Sequence, residues 1–181
     1  MKKKHRIDLS CESQKFKSLR TYTSKSFSIS RNEFHISLNK REAIGRLQKL
    51  LDCVLETPVS VAIRFCDTEE MRQTNLQFRK KNKPTDVLSF PASRDFPHNN
   101  AGVSLGDVLV CVPVCLAQAQ KAQVSLSQEL ERMLVHGITH LLGFDHERSS
   151  MAQSLQETFE LEMRKQLVKH LGKPQWCQVR K

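Results

Sequence analysis

The run Val135-His136-Gly137-Ile138-Thr139-His140-Leu141-Leu142-Gly143-Phe144-Asp145-His146 constrains the fold more than any other part of the chain. His136 and His140 are four residues apart, one helical turn, so a helix carries both on one face. Gly143 is a residue able to take positive φ, which ends the helix and turns the chain back towards His146. Three neutral imidazoles with a fourth position left to water form the donor set of a catalytic zinc site, not of a closed structural one. A histidine pair on a helix also occurs as a solvated edge of an apolar face. The third histidine after the glycine turn favours the metal. Leu126, Leu130, Met133, Leu134, Gly137 and Leu141 share one apolar stripe, with the two histidines on its border, where packing holds them while they face a cleft. Asp145 is either an acceptor for an imidazole N–H or a plain turn carboxylate.

Zinc proteases with this spacing carry a glutamate directly after the first histidine as general base. Here that residue is Gly137. Protease chemistry of that type is disfavoured, and the proton must go to a base elsewhere or to water acidified by the metal.

With these residues in place, the sequence resembles the YbeY endoribonuclease family. The family signature, His-Gly-x-Leu-His-Leu-x-Gly-x-Asp-His, is matched by residues 136–146 at every position except Thr139, which is not a ligand position. The resemblance runs upstream through Asn75, Phe78-Arg79-Lys80, the segment from Lys83 to Pro91, and Leu105-Gly106-Asp107-Val108. It spans roughly residues 36–171. It implies a single-domain α/β protein binding one zinc ion per chain through His136, His140 and His146. It further implies action on single-stranded RNA, in maturing the 3′ end of small-subunit rRNA and in ribosome quality control, with the ribosome or its proteins as partners. The family's functional arginine maps onto Arg79, which residue type alone would leave as an exposed helix arginine. Two other classes stay open: a non-RNA metallohydrolase, and a ribosome-assembly factor whose zinc is mainly structural.

At 181 residues the chain is long enough for one domain with a substantial core. The net charge of +10 favours a polyanionic partner, yet residues 1–34 hold nine Lys/Arg against three acids. The expected organisation is therefore a basic, flexible extension over 1–34, the catalytic domain over 35–172 and a tail over 173–181. A targeting peptide is a further reading of the first segment, with Asp8 and Glu12 against it. No apolar run approaches the ~20 residues of a membrane span, and a cytoplasmic protein is expected. The six cysteines lack a C-x-x-C pair and read as reduced thiols. Cys111 and Cys115, flanking Pro113, read as buried small residues rather than a second metal site.

Periodicity predicts a small mixed sheet covered by helices. Residues 43–55 keep a helical stripe, and Val59, Val61, Ile63 and Phe65 alternate as a strand. Thr68 is placed as the cap of a helix running to Arg79, and Val87–Phe90 and Val108–Val112 as strands. Asp95–Gly102 reads as a polar loop containing His98, and Ser125 with Gln128 as a capping box for the histidine helix. Met151, Leu155, Phe159, Met163 and Leu167 form the expected buried stripe of a last long helix. Asp86 and Asp107 are open as bases or as partners of nearby cations, and Thr85 and Ser89 as backbone hydrogen-bonders. His5, His35 and His170 have no partner at ligand spacing.

Overall fold

The computed structural model describes residues 5–11, 26–31, 34–93, 103–144 and 149–180. The alternation of Val59, Val61, Ile63 and Phe65 builds β4 (Val59–Cys66), and all four are buried on one face. β1 (Arg6–Cys11) and β6 (Val103–Cys111) pair parallel with its two sides, and β5 (Val87–Pro91) closes the mixed sheet antiparallel to β6, giving the order β1-β4-β6-β5. A second, antiparallel sheet of three strands joins β2 (Ser26–Arg31), β3 (Phe34–Asn39) and β7 (Cys177–Arg180). The expected α/β class and mixed sheet are observed; the second sheet was not foreseen.

Among the described residues, five helices cover the sheets. α1 (Lys40–Val54) starts where Asn39 Oδ1 accepts from Glu42 N. α2 (Thr68–Arg79) is capped by Asp67, whose side chain accepts from Glu70 N. Thr68 is thus the first helical residue and not the cap, as the longer-ranging aspartate meets the orphan N–H first. α3 (Val112–Ala122) has Pro113 in its first turn, so Val112 belongs to the helix and β6 runs earlier, from Val103. α4 (Leu126–Leu141) opens with the expected capping box, Ser125 with Gln128. α5 (Ser150–Leu171) is capped by Ser149.

The two faces of the mixed sheet separate two cores. Val61, Ile63, Phe65, Val108 and Val110 pack with α1 and α4, while Leu88, Leu109 and Cys111 meet Met71 of α2. Cys111 and Cys115 are fully buried, as expected, and burial pushes the Cys115 thiol up, keeping it protonated. A buried ion pair, Arg46 with Glu131, ties α1 to α4, and Arg46 Nη2 also donates to Gly172 O at 2.9 Å, fixing the end of α5.

Three expectations differ from the fold. The extension drawn over residues 1–34 contains β1 and β2, and the boundary at residue 34 falls inside the β2–β3 pair. Its charges hide the alternation of Ile7 and Leu9, and the partner of β1 lies some fifty residues onward, beyond any local pattern. The tail drawn from residue 173 carries the buried Trp176, whose carbonyl accepts from Asn39 N at 2.6 Å, and the strand β7, held to α4 by Ser127 Oγ accepting from Cys177 N at 2.8 Å. On α5, Met151 and Leu155 are 81% and 61% exposed, and the buried positions are Gln156, Glu160 and Leu167. The loop over Asp95–Gly102, including His98, lies outside the described residues.

Two glycines set the geometry near the cleft. Gly106 sits at φ 120° beside the register shift between β4 and β6, and a Cβ there would lie 2.1 Å from Phe90 O. Gly137 lies where α4 meets the sheet: a Cβ would come within 2.7 Å of Val108 Cγ1 and 3.2 Å of Ser89 Oγ. Gly137→Ala gains about 1 kcal/mol of helix propensity, but overpacking against a stiff β-branched neighbour costs about 1–3 kcal/mol. Urea melts should therefore find the variant no more stable than the parent, and a clear gain in stability would contradict this packing.

Candidate functional site

α4 brings His136 and His140 together as the four-residue spacing requires. Their rings meet edge to face, 4.6 Å between centroids, and the two Nε2 atoms are 3.1 Å apart. Each Nδ1 faces an acceptor: Glu160 Oε1 at 2.8 Å from His136, and Phe144 O at 3.0 Å from His140. Those acceptors place a hydrogen on each Nδ1, so in the neutral ring Nε2 is the unprotonated nitrogen. Two such nitrogens at this distance repel unless a cation or a proton lies between them. Two imidazoles on one tetrahedral zinc ion have nitrogens about 3.3 Å apart, so the pair fits a metal ion with little adjustment.

The turn after α4 follows the expected course as far as Phe144. Gly143 has φ 94°, Gly143 N donates to His140 O at 3.0 Å, and Phe144 N donates to Thr139 O at 3.2 Å. This fold-back brings the Phe144 carbonyl onto His140. Thr139, the departure from the signature, is buried with its hydroxyl donating to Val135 O at 2.8 Å, so the substitution leaves no unpaired polar group. Asp145 and His146 lie outside the described residues. Among the described residues, no three His, Cys, Asp or Glu side chains gather as a metal-holding group.

Beside the histidines opens a cleft of about 700 Å³, lined among others by Arg79, Lys81, Lys83, Ser89 and Phe144. Arg79 thus lines the same cavity as His136 and His140. The basic wall is held in place by Asn75, which is 3% exposed and whose Nδ2 donates to Lys83 O at 2.7 Å, while Lys80 takes a left-handed φ of 59° to end α2. Ser89 Oγ donates to Gly137 O at 3.1 Å, joining β5 to α4 directly beneath the histidines.

Sequence reasoning missed Glu160 and Gln156. Gln156 Nε2 donates to Glu160 Oε1 at 2.8 Å and lies 3.3 Å from His136 Nδ1. Burial alone would push the Glu160 carboxyl up, but its hydrogen bonds from His136 and Gln156 hold it below the usual carboxylate range. The signal was present as two polar residues at i, i+4 on α5, masked by the competing apolar stripe.

Of the other candidates, Asp107 is exposed. Asp86 is taken up structurally: Oδ1 accepts from Val87 N at 2.9 Å and from the Thr85 hydroxyl at 3.0 Å, and Oδ2 accepts from Gln118 Nε2 at 2.9 Å. His5 is buried, its Nδ1 accepting from Val59 N at 3.2 Å.

A helix-borne imidazole pair at the edge of a basic cleft, on a mixed α/β sheet, defines a site suited to metal chemistry on an anionic substrate. The chain is similar to proteins named for cutting RNA, an anionic substrate. A family model described as Endoribonuclease YbeY matches residues 23–167. An Endoribonuclease YbeY of Acinetobacter baumannii is 36% identical over 128 residues, covering 66% of this chain and 80% of the relative. Similar relatives of the same name occur in Persephonella marina (38% over 113 residues; 62% and 73% covered) and Aquifex aeolicus (37% over 123 residues; 65% and 80%). A solution structure of a Thermotoga maritima protein matches the fold with a TM-score of 0.51 at 21% identity, covering 93% of this chain and 96% of that one. The chain belongs to the YbeY endoribonuclease family.

Asp86 makes the stability of the fold depend on pH. Burial pushes its carboxyl up, but the hydrogen bonds from Gln118, Val87 N–H and Thr85 outweigh this and hold it below the ordinary value of 3.8. A depressed folded-state pKa contributes stability that is complete above the unfolded-state value and lost as pH falls through the folded one. Asp86→Ala should cost about 1–3 kcal/mol at neutral pH. In urea melts the gap between parent and variant should narrow below about pH 4; a gap that widens on acidification would contradict this role.

Proposed function

We propose that this chain is a metal-dependent endoribonuclease of single-stranded RNA, with His136, His140 and His146 as the ligands of one zinc ion. The observation that carries this reading is the convergence of two Nε2 atoms, 3.1 Å apart, at the wall of a cleft lined by Arg79, Lys81 and Lys83. When bound, zinc supplies Lewis acidity towards a phosphodiester oxygen and lowers the pKa of a nearby water. Arg79 faces the scissile phosphate and offsets the charge that builds in the transition state, a task suited to a planar, permanently charged guanidinium. Lys81 and Lys83 hold flanking phosphates as mobile point charges. Ser89 and Gly137 keep the histidine helix at a fixed distance from the cleft floor.

The family names extend this reading to RNA, and small-subunit rRNA with the ribosome is the substrate and partner we assign. No described helix is long and apolar enough to cross a membrane, and the cytoplasm is the compartment we assign with the ribosome.

Purified protein should cut a single-stranded RNA, lose the activity with a chelator and regain it with zinc. His140→Ala, prepared identically, should be inactive under all three conditions. Cleavage equal in the variant and indifferent to chelator would overturn the assignment. Absence of cleavage from a zinc-loaded, ribosome-binding protein would favour the assembly-factor alternative.

The basic wall gives a second test. Arg79→Ala should reduce kcat about 10²–10³-fold with a smaller change in RNA affinity. Lys81→Ala with Lys83→Ala should weaken binding and flatten the plot of log affinity against log salt by roughly 0.7 per lost phosphate contact. An unchanged salt slope in the double variant would remove both lysines from the RNA path.

A further inference from the structure

We propose that Glu160 is a positioning residue for the histidine pair: its carboxylate fixes His136 in the tautomer with an unprotonated Nε2, the form that can bind a metal, and Gln156 holds that carboxylate in place. The inference rests on reading the α4 histidines as metal ligands and adds a residue outside the signature run.

Three observations carry it. Glu160 Oε1 is 2.8 Å from His136 Nδ1, and an ionised carboxylate can only accept, so the imidazole hydrogen lies on Nδ1. Gln156 Nε2 donates to the same oxygen at 2.8 Å, fixing the carboxylate from a second side. Both residues are buried, Gln156 at 2% and Glu160 at 9% exposure, on the stretch of α5 where an apolar pair would serve packing better. A buried carboxylate is costly to desolvate and is tolerated where it is bonded to its partners.

The two histidines are held unequally. His140 has a neutral backbone carbonyl at its Nδ1, while His136 has a charged acceptor. A carboxylate partner raises the basicity of the opposite ring nitrogen as well as orienting the ring. His136 is therefore the stronger donor of the pair, and its geometry is set by α5 and not by α4 alone.

The test compares Glu160→Ala, Glu160→Gln and, as a control on the exposed face of α5, Glu157→Ala. Zinc affinity is measured by competition with a chromophoric chelator. The His136 tautomer is read separately from imidazole ¹⁵N shifts of metal-free protein, at a pH well above imidazole protonation. Thermal melting of the metal-free proteins reports folding. In the parent, His136 should carry its hydrogen on Nδ1. Glu160→Ala should mix or invert the tautomer and weaken zinc binding about 10–100-fold. Glu160→Gln, whose amide oxygen still accepts, should keep the tautomer and lose less affinity, and Glu157→Ala should match the parent in both readouts. Loss of melting temperature alone, with tautomer and zinc affinity unchanged in both Glu160 variants, would show a merely structural contact and overturn the proposal. Should Glu160→Ala fail to fold, a Glu160→Gln protein that binds zinc like the parent with an unfixed tautomer has the same consequence. A parent that takes up no zinc would instead sink the metal reading, and the metal-free tautomer would still decide whether Glu160 sets His136.

Discussion

The close seat of α4 on β5 and β6 at Gly137 is the contact on which the site depends. With no side chain at this position, the helix backbone comes near enough for Ser89 Oγ to reach Gly137 O, and Val108 fills the space a Cβ would need. Successive helical residues are turned by about 100°, so fixing the Gly137 face against the sheet also fixes where His136 and His140 point. The capping box at Ser125 and the glycine turn at Gly143 define the two ends of this helix. The histidines, about 60–100° round the helix from Gly137, are thus placed by packing on the face next to the one they occupy.

The interface between α4 and α5 follows a different logic. Most of the α4 surface is apolar and buried, yet towards α5 it meets Gln156 and Glu160. Polar groups in such a place need complete hydrogen bonding, because low local dielectric makes an unpaired one costly. The long apolar core, from Leu9 through Phe65 to Trp176, supplies the burial against which this polar seam is set. Arg46, bonded to Glu131 and to the Gly172 carbonyl, anchors the far end of α5. The seam is thus held at both ends of the helix pair.

Local signals were legible in the sequence and non-local ones were not. The capping box, the glycine turn, the strand over Val59–Phe65 and the histidine spacing depend on neighbours within a few residues, and each lies where periodicity put it. β1 pairs with a strand some fifty residues away and β7 with one far earlier in the chain, so neither leaves a local mark beyond short alternation. The stripe on α5 from Met151 to Leu167 has correct helical spacing, but the N-terminal half of the inward face is chosen by what α4 presents there, namely His136, whose Nδ1 needs an acceptor. Hydrophobic period locates a buried face only when the surface opposite is apolar too. The same limit hid Glu160, a residue with no distinguishing feature until its neighbour in space is known.

The absence of an acidic residue after His136 also follows from the packing. In the protease arrangement that position carries the base and must reach the cleft, whereas here it faces Val108 and the sheet, where a glutamate has no room. α4 therefore holds the histidines and leaves proton transfer to groups off the helix. RNA tolerates this arrangement better than a peptide would, since its own 2′-hydroxyl is a nucleophile adjacent to the scissile phosphate. The cations at residues 79, 81 and 83 sit at the end of α2 and on the loop after it, which Asn75 holds, and are suited to phosphates, which position a strand without reading its bases. On the endoribonuclease reading, the choice of cleavage site then has to come from the shape of the RNA or from a partner that presents it, because this wall of the cleft grips every sequence alike.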